Sequence, residues 1–170
     1  MEKNNQFVFF WSGPFSQWHT SSFSINGFEY NCAEQFMMHC KALLFGDIGI
    51  ANAIIHAKEP KEQKSLGRKI KGFDEKRWEI FREGIVFSGN HAKFSQNYFL
   101  KKELLATKGK LLVEASPRDK IWGIGLSESD PRAKDPNEWK GLNLLGKTLT
   151  RVRGAIEDED QAFTQLKPRR

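Results

Sequence analysis

A chain of 170 residues holds one domain-sized core and leaves too little for two ordinary domains. Lys and Arg outnumber Asp and Glu by 27 to 21, and the resulting net charge of +6 favours anionic partners such as phosphates, nucleotides or nucleic acid. No stretch approaches the roughly 18 consecutive apolar residues that cross a bilayer, which excludes a membrane-spanning role and leads to the expectation of a soluble, cytoplasmic protein.

Residues 6–11 and 22–30 have the composition of strands, the second stretch folding back at Asn26-Gly27, a two-residue hairpin turn, so a small sheet is expected near the N-terminus. From Cys32 the apolar period becomes helical, with Asn31 as N-cap and Gly46 as the stop. Asp47 starts a second helix through Ala57, and Pro60 opens a third that ends by Gly72. Asp74 caps the longest helical pattern, in which Trp78, Phe81 and Ile85 recur at helix spacing, with a break expected after Gly89.

Residues 98–107 are again helical, 111–115 form a short apolar strand, and 116–126 make a polar turn followed by a Gly-rich segment. Ser127 to Asn137 is expected as an exposed loop. Leu145, Leu149, Val152 and Ile156 then mark the apolar stripe of a final helix. The pattern predicts an α+β fold: a mainly helical single domain with a few short strands over 1–156, and a flexible C-terminal tail over 157–170.

Two Cys and four His show no metal-ligand spacing, so neither a metal nor an organic cofactor is expected. The first chemical feature lies on the helix after Asn31, where a rotation of about 100° per residue brings Lys41 to within some 20° of Glu34. Both share a face with Met37, Met38, Leu44 and Phe45, while Gln35 and His39 fall on the polar side. Burying either charge costs several kcal/mol without a partner, and such placements concentrate at active sites. Structural roles stand beside that reading: a capping box between Glu34 and Asn31, and a Lys41 stem that snorkels to solvent.

The second feature is Glu114, at a strand end, followed by Asp119, Trp122 and Gly123, where an aromatic beside glycines can hold a base and a sugar; a polar turn over a core Trp is the alternative. Arg68, directly after Gly67, and Asn143, two residues after Gly141, are candidates for binding a phosphate, and Asn143 serves equally as a plain N-cap. Trp18, between turn residues, suits stacking on a flat base or closing a core.

These segments occur together in one order: Phe15-Ser16-Gln17-Trp18, then Tyr30 with Glu34-Gln35 and Lys41, Leu66-Gly67-Arg68, Lys93-Phe94 with Gln96-Asn97, Leu112-Val113-Glu114, Asp119 with Trp122-Gly123, and Asn143 with Leu145-Gly146. In that order, over about residues 7–156, the chain resembles the NADAR, or YbiA-like, family. The resemblance implies a YbiA-like fold and hydrolysis of the C1′–N bond between a ribose and a nitrogen base. Its substrate would be a phosphoribosylated aminopyrimidine of riboflavin biosynthesis or ADP-ribose attached to guanine in nucleic acid. It also implies catalytic roles for Glu34, Lys41 and Asp119, and substrate contact by Trp122. The entry segment departs from the Ser-Asn-Phe form of many members, which bears on base recognition. A non-catalytic NAD- or ADP-ribose-binding module is the alternative class, and a DNA-binding accessory protein rests on net charge alone.

Overall fold

The computed structural model describes residues 6–166; residues 1–5 of the expected domain and 167–170 of the expected tail lie outside them. In chain order the elements are β1 (Phe7–Phe10), β2 (Phe23–Ile25), β3 (Phe28–Tyr30), α1 (Ala33–Leu44), α2 (Ile48–His56), α3 (Pro60–Gly67), α4 (Glu75–Gln96), α5 (Tyr98–Leu105), β4 (Leu111–Glu114), two short 3-10 turns, and α6 (Leu144–Gln165). The architecture is α+β, with helices dominating the described residues. The chain divides into two compact units, Ser16–Tyr98 and Met1–Phe15 joined by Phe99–Arg170.

In the first unit the hairpin forms as its sequence dictates. Asn26 and Gly27 both take positive φ, 52° and 82°, which matches the twist of the flanking strands β2 and β3. Phe23 and Tyr30 then lie opposite each other, with ring centroids 5.6 Å apart, and pack with Phe36 and Ala92 into one core. Helix α4 ends on this hairpin: the Gln96 side chain accepts from the Ser24 amide at 2.8 Å and donates to its carbonyl at 2.9 Å. The Asn97 side chain donates to the Ser22 carbonyl, so two polar residues complete the edge of β2 as a further strand would.

Helix α1 is buried on every side from Ala33 to His39, because α2, α3 and α4 all pack against it. The approaches are close: a Cβ on Gly67 would fall on the Met38 side chain, and one on Gly89 would fall on the Phe36 ring. That packing overturns the expected polar side of the helix. Gln35 is buried with its amide donating to the Ile54, Ile55 and Ala57 carbonyls at the end of α2, and buried His39 bonds the Tyr30 hydroxyl through Nδ1 at 2.9 Å. Burial lowers the His39 pKa.

Helix α4 passes Gly89 without the expected break, since that glycine serves the contact with Phe36. Its buried stripe runs Trp78, Arg82, Val86, Asn90 and Lys93, whereas Phe81, assigned to the stripe by its apolar character, is exposed. The buried face contains two cations and an amide, which a search for apolar period alone cannot select.

In the second unit β1 and β4 pair in parallel, Phe7 with Leu111 and Phe10 with Glu114. The two sheets are separate, so β1 does not join the hairpin as expected. Helix α6 buries Leu145, Leu149, Val152 and Ile156. It continues to Gln165, so residues 157–165 are helical. Arg153 on the same helix donates from Nη1 to the Thr107 and Lys110 carbonyls, at 2.7 and 2.8 Å, fixing the turn that leads into β4.

Asn143, just before α6, is 0% exposed and takes a left-handed φ of 53°. Its Oδ1 accepts from the Glu114 amide and its Nδ2 donates to the Leu112 carbonyl, both at 3.0 Å, so the carboxamide completes the outer edge of β4. Asn143→Ala should lower unfolding free energy by about 2–4 kcal/mol, because it leaves two buried backbone groups without partners and removes a side chain tolerant of this φ. Urea denaturation monitored by circular dichroism measures the loss.

Candidate active site

Glu34 stands in the first turn of α1, behind an N-cap that is Cys32 rather than the expected Asn31. The Asn31 side chain is occupied elsewhere, donating to the Lys58 carbonyl and accepting from Gln63. The reach back to the Asn31 amide comes from Gln35, whose Oε1 accepts it at 2.8 Å. Glu34 therefore makes no capping box, yet its carboxylate is buried in a residue only 4% exposed. Its own amide donates to the Gln17 carbonyl at 3.0 Å, which ties the start of the helix to the Ser16–Trp18 loop.

Two turns on, the half-buried Lys41 lays its ammonium over two rings, 4.4 Å from the Phe73 centroid and 5.5 Å from that of Trp78. Burial pushes its pKa below the usual lysine value; Glu75 and Glu34 pull it back up, and Arg68 presses it further down. Glu34, Lys41, Arg68 and Glu75 thus belong to one electrostatic cluster. Arg68 is exposed at the C-cap of α3, and Trp18 is 44% exposed with the Lys64 ammonium 5.9 Å from its ring. Lys64 and Arg68 are one helical turn apart, so α3 presents a basic edge beside this cluster.

In the other unit, the segment after β4 is folded around Asp119. Its Oδ1 accepts from the Ile121 and Trp122 amides, at 2.9 and 2.8 Å, and its carbonyl accepts from Gly125. Gly123 is buried, and a Cβ there would lie 2.9 Å from the Glu114 carbonyl oxygen. The same carbonyl accepts from Ile124, so the loop is fastened along the end of β4, with Trp122 half-buried on it.

The sequence pattern of the NADAR domain matches residues 9–157. The chain belongs to the NADAR family. The match runs through both compact units, which are parts of one NADAR domain. An N-glycosidase of Acanthamoeba polyphaga mimivirus is 46% identical over 144 residues, covering 82% of this chain and 85% of that protein. The chloroplastic riboflavin biosynthesis protein PYRR of Zea mays is 37% identical over 111 residues, covering 63% of this chain and 16% of the longer plant protein. The NMR structure of the E. coli protein YbiA superposes with a TM-score of 0.75 at 26% identity, covering 92% of this chain and 88% of YbiA.

Several residues of the NADAR pattern hold the scaffold. Gln35, Gln96 and Asn97 bond backbone groups, and Asn143 has both ends of its carboxamide committed to β4. The Asn143 side chain thus holds the strand end that carries Glu114. The Asn143 side chain does not cap α6, since it makes no bond to that helix's first amides. Asp119 holds the Ile121–Trp122 turn with one oxygen, so its first effect is on where Trp122 stands.

Lys93 escaped selection as a site residue although it lies inside one of the quoted motifs. It is 0% exposed, and its amine donates to the Ser16 carbonyl at 2.9 Å. The charges of Glu34 and Lys93 both act on the buried Cys32 thiol, which burial pushes up to about 11, and so Lys93 is in the neighbourhood of the α1 start. The signal in the sequence is its place on the α4 stripe, four residues after Gly89 and seven after Val86, which is close to two helical turns.

Burial lowers the Lys93 amine from the usual 10.5 to about 7, with Cys32 partly opposing the shift. Between those two values the unfolded chain binds the extra proton, so stability contributed at this position should rise with pH across that window. The unfolding free energy of the wild type relative to Lys93→Met is therefore expected to shift in favour of the wild type from pH 7 toward 10. Denaturant titrations of both proteins at stepped pH check the sign.

Proposed function

We propose that this chain is an N-glycosidase that hydrolyses the C1′–N bond between a ribose and a nitrogen base, with a phosphoribosylated aminopyrimidine of riboflavin biosynthesis as its substrate. The observation that carries the reading is the Glu34–Lys41 pair, a buried carboxylate and a half-buried amine in electrostatic contact on one helix. Membership of the NADAR family and the names of the mimiviral and plant relatives support it.

In hydrolysis the C1′–N bond breaks, the base leaves with a proton, and the oxygen of water becomes the new C1′ hydroxyl. Glu34 is suited to moving those protons, since a carboxylate shielded from water transfers them to a held substrate without competition from solvent. Lys41 has two routes open. Its neutral amine, favoured by burial, can add to C1′ of the ring-opened sugar, expel the base and form a Schiff base that water then hydrolyses, returning the amine and free sugar. Alternatively its ammonium, with Arg68, holds the phosphate while water attacks directly, and the sugar cation formed in that route needs no covalent partner.

A second reading, removal of ADP-ribose from guanine in nucleic acid, is favoured by Trp18. An exposed ring with a lysine over its face, next to the basic edge of α3, suits an exposed base and its phosphates. Incubation with a ribosylaminopyrimidine phosphate and, separately, with ADP-ribosylated guanine DNA distinguishes the two by which one releases base or sugar. Release from neither would overturn the glycosidase assignment and leave a binding module.

With the productive substrate, Glu34→Gln should lower kcat by roughly 10²–10⁴-fold, the usual range for loss of a proton-transfer group. Borohydride added during turnover is expected to leave a reduced sugar on Lys41 if the covalent route operates, detectable by peptide mass spectrometry. Lys41→Arg with wild-type kcat would eliminate that route. Arg68→Ala should raise KM for a phosphorylated substrate with less effect on kcat, and steady-state kinetics measures the split.

A further inference from the structure

A lysine at zero exposure is costly, and replacing a buried ion by an apolar side chain of similar volume is often neutral or stabilising. Packing therefore gives no reason for the amine of Lys93. Its geometry does. Lys93 and Asn90 are one turn apart on α4 and both reach the Ser16–Trp18 loop: Lys93 donates to the Ser16 carbonyl at 2.9 Å, and Asn90 donates to the Gln17 Oε1 at 2.7 Å.

The same two loop residues serve the candidate site on their other side. The Gln17 carbonyl accepts the Glu34 amide at 3.0 Å, and the Ser16 hydroxyl accepts the Trp18 amide at 3.2 Å. The Ser16 carbonyl also accepts from His19, which closes the turn that carries Trp18 outward. The Lys93 amine bonds the loop itself, at the Ser16 carbonyl, and its role is therefore read through the loop. We propose that Lys93 is a positioning residue, whose amine, with Asn90 beside it, fixes the Ser16–Trp18 loop and thereby sets both the Glu34 backbone and the Trp18 ring. The kinetic consequence rests on the N-glycosidase reading; the structural one does not.

Lys93→Met keeps the stem and removes the amine. In the folded variant, hydrogen exchange followed by NMR should accelerate at the Glu34 and Trp18 amides by about 10-fold or more relative to amides in α6. With a ribosylaminopyrimidine phosphate, kcat should fall by roughly 10-fold or more while the melting temperature stays near that of the wild type, since small misplacements of a reacting group are enough to slow chemistry. A purely structural lysine would change melting without changing kcat in the folded fraction. Unchanged exchange at both amides, or wild-type kcat and KM, overturns the proposal. If Lys93→Met does not fold, Asn90→Ala decides in its place, with faster exchange at the Glu34 amide expected and unchanged exchange overturning the proposal. Absence of turnover by the wild type would defeat the glycosidase reading alone, because amide exchange still decides the role of Lys93.

Discussion

Helix α1 is enclosed, and its enclosure governs what the polar side chains around it can do. With α2, α3 and α4 packed against the first two turns, every residue from Ala33 to His39 is buried. Each polar group there has to meet a partner within the protein or remain costly to bury. Gln35 satisfies the end of α2, and His39 satisfies Tyr30. Glu34 is the acidic member of this set, a carboxylate enclosed in the first turn of the helix. Enclosed charges of this kind concentrate at functional sites.

The close packing depends on two glycines and on amides that finish neighbouring elements. Gly67 and Gly89 allow α3 and α4 to approach Met38 and Phe36, which draws Arg68 and Lys93 toward the same helix. The cluster near Lys41 is therefore a consequence of backbone approach as much as of charge. Cations are tolerated there because aromatic faces and carboxylates surround Lys41, and because the Lys93 amine has a carbonyl to meet.

The second unit uses the same device in a different form. A two-stranded parallel sheet is short of partners, and Asn143 supplies them from a side chain rather than another strand. Asp119 then gathers the amides of the following turn, so that Trp122 stands on a loop fixed at both ends. Polar residues that look functional in a sequence thus divide by whether the backbone has already claimed them. Asn143 is claimed at both ends, while Asp119 has an oxygen committed to its turn.

The sequence alone determined the run of helices, the hairpin and the caps at Asp47 and Asp74, because period, Asn-Gly geometry and short polar side chains act over a few positions. It also placed Glu34 and Lys41 on one side of α1, since a helix fixes angles without reference to its neighbours. Tertiary structure alone decided the pairing of β1 with β4, whose partners are about a hundred residues apart in the chain. It alone decided that Gln35, rather than Glu34, reaches back to Asn31, that Phe81 is outside, and that Lys93 is inside. Each of those outcomes depends on which faces are covered. Covering is set by neighbouring elements brought together in space, and a local pattern of apolar residues carries no record of them.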